Sequence, residues 1–294
     1  MNWKRFYMVI TAVATTYVGA AQVNLLNANK VEEIGVKSQQ EIELDAAADK
    51  PLPYGYISDR DVLWSKVVWE YVDLNQKINL PYYYPIDTVN TSNTRRSLFD
   101  TLLKGIKTGK ITEVYQDSYF TTKIGMKEIE EMTKSTREID GGEEQGGYTD
   151  EYFVKSEHIK GYLIKGIWYF DKRQGELKYR MLAISPMGPD VQVMGVEEID
   201  DKDSVYELFW VFFPDAREVL HESKVFNPKN SAHPISYDNL LNARRFNATV
   251  VKEENLYGDR KIADYIRGNS LFQLLEADRI KEGIRDREMD MWNY

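Results

Sequence analysis

The chain has 294 residues, 43% hydrophobic and 29% charged, and 38 Lys and Arg stand against 47 Asp and Glu for a net charge of -9. That balance excludes collagen-like, low-complexity and polytopic membrane classes, and it gives the body no global attraction for nucleic acid or an anionic membrane. There is no cysteine, which excludes disulfides, thiolate metal sites, iron–sulfur clusters, cysteine nucleophiles and lipidation of an N-terminal cysteine.

Residues 1–21 carry a secretory pattern. Lys4 and Arg5 precede an uncharged apolar run from Phe6 to Val18, and Gly19-Ala20-Ala21 supplies the small residues a signal peptidase accepts. The run falls short of the ~20 apolar residues a membrane-spanning helix needs, so cleavage is expected between Ala21 and Gln22. An exported chain without cysteine fits the periplasm. Residues 22–53 mix six acids with Lys30, Lys37 and Lys50 among few large apolar groups, ending on Pro51 and Pro53. They read as a flexible acidic arm, either docking on a partner or simply solvated.

The packed part begins at Tyr54. Ser58-x-x-Asp61 has helix-start spacing, and Leu63, Val67, Tyr71 and Leu74 follow on one helical face, broadened by Trp64 and Val68. A helix is therefore expected there. Pro81 and Pro85 bracket Tyr82-Tyr83-Tyr84, expected to be non-helical. A second helix is expected from Arg95 to Thr108 on the stripe Leu98, Leu102 and Ile106, capped by Gly109, and a strand from Ile111 to Phe120.

The polar stretch 127–150, with Gly141-Gly142-Glu143-Glu144-Gln145-Gly146-Gly147 at its centre, reads as a mobile loop or linker between a first half, 54–126, and a second, 151–294. A β-hairpin follows near 162–184, with Asp171 to Gly175 as its turn and Ser185-Pro186-Met187-Gly188-Pro189 ending it. Beyond an acidic loop at 197–203 come a strand from Tyr206 to Phe213, helices near Asp215–Glu222 and Ser236–Arg245, and a strand over Asn247–Lys252. The last helix has capping-box spacing at Ser270-x-x-Gln273, and Leu271, Leu274 and Leu275 open an apolar face that Ile280 and Ile284 extend. Met291, Trp292 and Tyr294 place large apolar groups beyond it, docking either onto the body or into a neighbour. The fold class is α+β: mixed helices with short antiparallel strands. Trp69, Pro85, Leu98/Leu102/Leu103 and the Ile111–Tyr115 strand recur in order as Trp210, Pro228, Leu240/Leu241 and the Thr249–Val251 strand. The spacings drift by several residues, so any internal duplication is weak.

No catalytic constellation emerges. His221-Glu222 lacks the second histidine of a zinc-protease helix, and no G-x-S-x-G, G-x-G-x-x-G or P-loop is present. Asp200-Asp201-Lys202-Asp203 lacks the glycine and glutamate of a calcium loop and reads as a solvated turn. Carboxylate pairs suited to glycoside hydrolysis stay open among so many acids. No catalytic, cofactor or metal residue is assigned. The 20 Tyr, 6 Trp and 11 Phe fit core packing, protein interfaces or sugar stacking. Tyr82, Tyr83, Tyr84, Met291, Trp292 and Tyr294 are taken as candidate partner contacts.

Two blocks carry a family resemblance. Tyr54-Gly55-Tyr56-Ile57-Ser58-Asp59-Arg60-Asp61, running into Trp64 and Trp69 and on to Asn79-Leu80-Pro81 and Tyr84-Pro85, resembles the gliding-motility GldN family, called PorN in non-gliding members. The stretch Asp259-Arg260-Lys261-Ile262-Ala263-Asp264-Tyr265-Ile266, through Phe272-Gln273-Leu274-Leu275-Glu276, to Asp290-Met291-Trp292-Asn293-Tyr294 resembles it too. The resemblance implies a non-enzymatic periplasmic subunit of the type IX secretion and gliding machinery of Bacteroidota. It further implies self-association in a ring with the outer-membrane lipoprotein GldK/PorK, at the inner face of the outer membrane, and contact with GldM/PorM of the inner-membrane motor. It implies no cofactor and no direct membrane insertion. The competing class is a periplasmic cell-wall hydrolase or carbohydrate-binding module, motivated by the aromatic and carboxylate content.

Overall fold

The computed structural model describes residues 50–86, 95–139, 148–194, 204–227 and 234–291. The signal segment with its Ala21/Gln22 junction, most of the acidic arm, the Gly141–Gly147 run, the acidic loop at 197–203 and Pro228 lie outside the described residues.

The chain enters through β1 (Val62–Asp73), the short α1 (Leu80–Tyr83), α2 (Leu98–Lys107), the two-residue β2 (Val114–Tyr115) and α3 (Met126–Thr133). A hairpin of β3 (Lys134–Ile139) and β4 (Tyr148–Phe153) precedes the long pair β5 (Gly161–Asp171) and β6 (Glu176–Gly188). Next come β7 (Tyr206–Glu207), β8 (Trp210–Phe212), α4 (Phe213–Glu222), β9 (Lys224–Val225), β10 (Ile235–Ser236), α5 (Tyr237–Asn242) and β11 (Thr249–Glu253). The last elements are α6 (Ile262–Tyr265) and α7 (Ser270–Met291). These elements belong to one compact unit, Pro53–Tyr294, and Met1–Leu52 is a separate unit.

The main sheet runs β11-β1-β5-β6-β8-β2, with β7 added to β6, and its strands pair antiparallel throughout. The class is α+β, as expected. The order is symmetric about the β5–β6 hairpin. β1 and β8 flank the hairpin, while β2 pairs with β8 and β11 with β1, so each edge strand completes the run that did not produce it. The hairpin matches its expected place, closed by Gly175 at φ +64 donating its N–H to the Asp171 carbonyl at 2.8 Å. β6 continues through Pro186, whose carbonyl accepts from Leu208 N.

On one face, Val72, Tyr162, Ile164, Ile184 and Val211 pack against α2, α4 and α5 through Leu98, Leu102, Phe213, Leu220 and Leu241. Ser97 Oγ accepts from Asp100 N and caps α2, and Gly109 at φ +70 closes it, so this helix lies where its stripe predicted. Arg217 of α4 and Asp238 of α5 bind each other through two contacts of 2.8 and 3.1 Å inside the helical layer. On the opposite face Trp69, Leu163, Ala183 and Trp210 form a smaller cluster.

Several expectations are corrected. The helix expected from Ser58 is instead β1: Ser58 makes no capping bond, and only a short turn at Asp59–Asp61 precedes the strand. β1 is sandwiched between β5 and β11 and buries Val68, Trp69, Glu70 and Val72 in near succession. A strand covered on both faces loses its period of two, and its β-branched and aromatic content decides the outcome. Pro81 sits in the first turn of α1, where its missing N–H costs nothing, so Leu80–Tyr83 is helical after all. The strand expected from Ile111 shrinks to β2, because Asp117 gathers the N–H groups of Tyr119, Thr121 and Thr122 into a tight loop. The stretch 127–150 is not wholly loop: α3 buries Ile129, and β3 pairs with β4.

Candidate interaction surface

The local chemistry of 254–291 leaves one apolar surface without cover. Gly268 at φ +69 turns the chain, and Asn269 Oδ1 accepts from Phe272 N to cap α7. Asn269, not Ser270, therefore caps the helix, and Gln273 donates to the Ile266 carbonyl at 2.7 Å instead of closing a box. Ala277, Ile280 and Ile284 are buried against Val68 and Val250, with Trp64, Trp168 and Leu177 around them. At 3.6 residues per turn, Leu271 and Leu275 point roughly 150° and 170° from that stripe. The expected continuous face thus does not exist. Leu271, Phe272, Leu274 and Leu275 are 47–62% exposed, Tyr265 lies beside Phe272 and Leu275, and Leu256 and Tyr257 are exposed as well.

Two hollows flank this turn of helix. One, of about 330 Å³, is walled by Tyr71, Leu163, Met187 and Val251 of the sheet and by Ile262 and Leu274, with the ion pair Glu207–Lys261 (3.1 Å) in its lining. The other, of about 500 Å³, lies among Tyr265, Arg267, Phe272, Leu275 and Arg279. There Arg279 grips Glu276 at 2.6 and 2.7 Å and holds its carboxyl below the usual range. Burial, aided by its bond to Glu276, pushes the Tyr265 phenol up to about 12. The Arg260 guanidinium lies 4.8 Å from the ring of Tyr257 and 5.7 Å from that of Tyr265. Apolar walls edged by paired charges suit apolar side chains of another protein.

Of the expected contact residues, the structure describes Tyr82, Tyr83, Tyr84 and Met291. Tyr82 is 1% exposed, its hydroxyl donating to the Arg245 carbonyl at 3.3 Å and its ring beside Tyr237 and Phe246. Its place as a partner contact is withdrawn. Tyr83 is half-buried and donates to the Glu157 carbonyl, while Tyr84 is exposed at its edge. Met291 is half-buried at the end of α7, and Trp292 and Tyr294 lie outside the described residues. The leucines of α7 were legible as apolar, but their direction required placing them on the helical wheel against Ile280 and Ile284.

The remaining polar clusters hold the fold. Tyr54, which opens the first resemblance block, lies 4.2 Å from the Arg217 guanidinium and 4.7 Å from that of Arg180, and donates to Asn242. Arg180 and Arg173 donate to the carbonyls of Gly55 and Tyr56, so that motif is a clasp on the body. On the face opposite the helices, Lys165 Nζ donates to the Ser118 carbonyl at 2.7 Å within about 5 Å of the rings of Trp69, Tyr119 and Phe120. Burial, then the nearby Lys252, lowers its affinity for a proton. Lys252 donates to the Tyr119 hydroxyl, which donates to Asp259. Burial and that carboxylate push Tyr119 to about 12. This network pins loop 116–123 to the sheet. Among the described residues no group of three or more His, Asp or Glu could hold a metal ion, and no helix is long and apolar enough to cross a membrane.

Comparison with family models gives a match to one described as "Gliding motility associated protein GldN" over residues 57–293. The match takes in every helix and strand of the compact unit. Comparison with curated proteins gives no match.

Proposed function

The chain belongs to the GldN family of gliding-motility proteins, and from that premise we propose that it is a non-enzymatic structural subunit of the type IX secretion and gliding machinery, working by protein–protein contact. It acts in the periplasm after loss of its signal segment, at the inner face of the outer membrane. There it builds a ring with the lipoprotein GldK/PorK and meets GldM/PorM of the inner-membrane motor. The observation that carries this reading is the family match over the whole compact unit. The exposed apolar surface at 256–275 supports it, because patches of this kind mark binding sites when they cluster on one element.

A body of net negative charge is repelled by anionic lipid, so durable membrane association has to come from a lipidated partner through an interface of roughly 2,000 Å² or more. The test is fractionation. The protein is expected to sediment with outer membrane through a moderate salt wash, its processed N-terminus at Gln22 by mass spectrometry, and to turn fully soluble in cells lacking the lipoprotein. Continued sedimentation in those cells would transfer support to direct lipid or wall binding.

A further inference from the structure

We propose that the hollow beside Leu274 receives residues 292–294 of a second copy of this chain, so that copies join head to tail along α7. The inference deepens the ring-subunit reading and rests on it.

Helix α7 has 22 residues and is therefore about 33 Å long. Its start carries the exposed turn Leu271–Leu275 and the 330 Å³ hollow. Its other end carries exposed Met289, then Met291, Trp292 and Tyr294. Three extended residues reach only about 11 Å. Trp292 and Tyr294 cannot return to the start of their own helix, so the side chains best suited to fill the hollow arrive there only from another molecule. The cavity nearer their own end is a more polar host: beside Trp168, Leu177, Phe246 and Ile284, its lining holds Lys281, Arg285, Glu288 and the Arg244–Glu70 ion pair.

Lys261 in the receiving hollow is already paired with Glu207, and the last turns of α7 hold Arg285 and Arg287 beside Asp286, Glu288 and Asp290, so the pairing rests on apolar side chains. Buried aromatic anchors ringed by polar groups are how interfaces concentrate binding energy. Donor and acceptor lie at opposite ends of one rigid helix, so every copy offers one of each. Such a heterologous contact propagates to a ring or filament and does not stop at a dimer.

Because the chain has no cysteine, Ser270→Cys and Asn293→Cys give clean reporters. A disulfide forms only where two Cα atoms come within roughly 7 Å. Mild oxidation of the full chain, purified and in cell envelopes, is expected to give the double variant a ladder extending beyond dimers. Mixing the two single variants should give one heterodimer band. In parallel, Trp292→Ala with Tyr294→Ala should weaken self-association at least tenfold in sedimentation velocity while leaving the melting temperature unchanged.

Absence of cross-links, a double variant that stops at dimers, or unchanged sedimentation of the tail variant would each overturn the proposal. So would cross-linking of Asn293→Cys to Lys281→Cys within one chain, or of Ser270→Cys to Leu26→Cys in the acidic arm in place of the tail. If the ladder fails while sedimentation still depends on the lipoprotein, only this inference falls. If the ladder forms but membrane association ignores the lipoprotein, the ring-subunit reading falls.

Discussion

Arg244 and Glu70 show how single residues set the stability of the sheet's helical face. Arg244 holds the nearly buried Glu70 through two bonds of 2.8 and 2.9 Å while its guanidinium lies 4.0 Å from the Tyr179 ring and 5.0 Å from Trp168. Tyr179 reaches that position across Gly166, where an added Cβ would sit 2.1 Å from the phenol oxygen. Removing one partner strands a charge, so Arg244→Ala should cost about 3–5 kcal/mol by denaturant titration, while the volume-matched pair Arg244→Met with Glu70→Leu should cost far less. Equal losses in the two variants would show that packing, not the stranded carboxylate, decides the matter. His158 gives a pH-dependent case. Its Nδ1 accepts from Lys155 N at 3.0 Å, and burial lowers its affinity for a proton despite the neighbouring Glu157. The folded state then binds fewer protons than the unfolded one. Its contribution is present above about 6.5 and is lost as pH falls through the lowered folded value. Replacement by Asn keeps an acceptor without the titration. His158→Asn should therefore lose less melting temperature than the wild type between pH 7.5 and 5, and an identical loss would exclude His158 as the source.

At the scale of elements, α7 separates what is packed from what is offered. Ile280 is 4% exposed against Val250 and Val68, so Ile280→Asp should cost several kcal/mol. Leu274→Asp with Leu275→Asp, which would be equally costly if the apolar face were continuous, should change stability by less than about 1 kcal/mol. Paired chemical denaturation curves decide between these views. The same helix explains how far the sequence could be read. Its span, its apolar residues and its charged distal half were legible, and so were α2 with its Ser97 cap and the β5–β6 hairpin with its Gly175 turn. Amphipathic elements with one buried face declare themselves. β1 did not, because neighbours on both edges and cover on both faces erase periodicity, and Leu63, Val67, Tyr71 and Leu74 happen to fall at helical spacing. The apolar site was half legible: Leu271, Leu274 and Leu275 stood out as hydrophobic, but their exposure depends on the sheet claiming Ala277, Ile280 and Ile284. Tyr82 failed as a contact for a related reason, since α5 and the 245–246 turn close over it.

For the whole molecule, an α+β body symmetric in strand order about its central hairpin presents an exposed apolar surface at the start of α7, and the proposed role is to bind other proteins through it. The clasp of Arg173, Arg180 and Arg217 holds Tyr54–Tyr56 onto that body. The Lys165 and Arg244 clusters tie side chains onto the two sheet faces, whereas Leu271, Phe272, Leu274 and Leu275 at the start of α7 stay exposed. The most direct measurement is secretion in cells whose only copy carries Leu271→Asp and Leu275→Asp, side chains directed away from the body. The account predicts a folded variant present in the envelope at wild-type level, with type IX cargo no longer released to the medium. Wild-type secretion by that variant would contradict it.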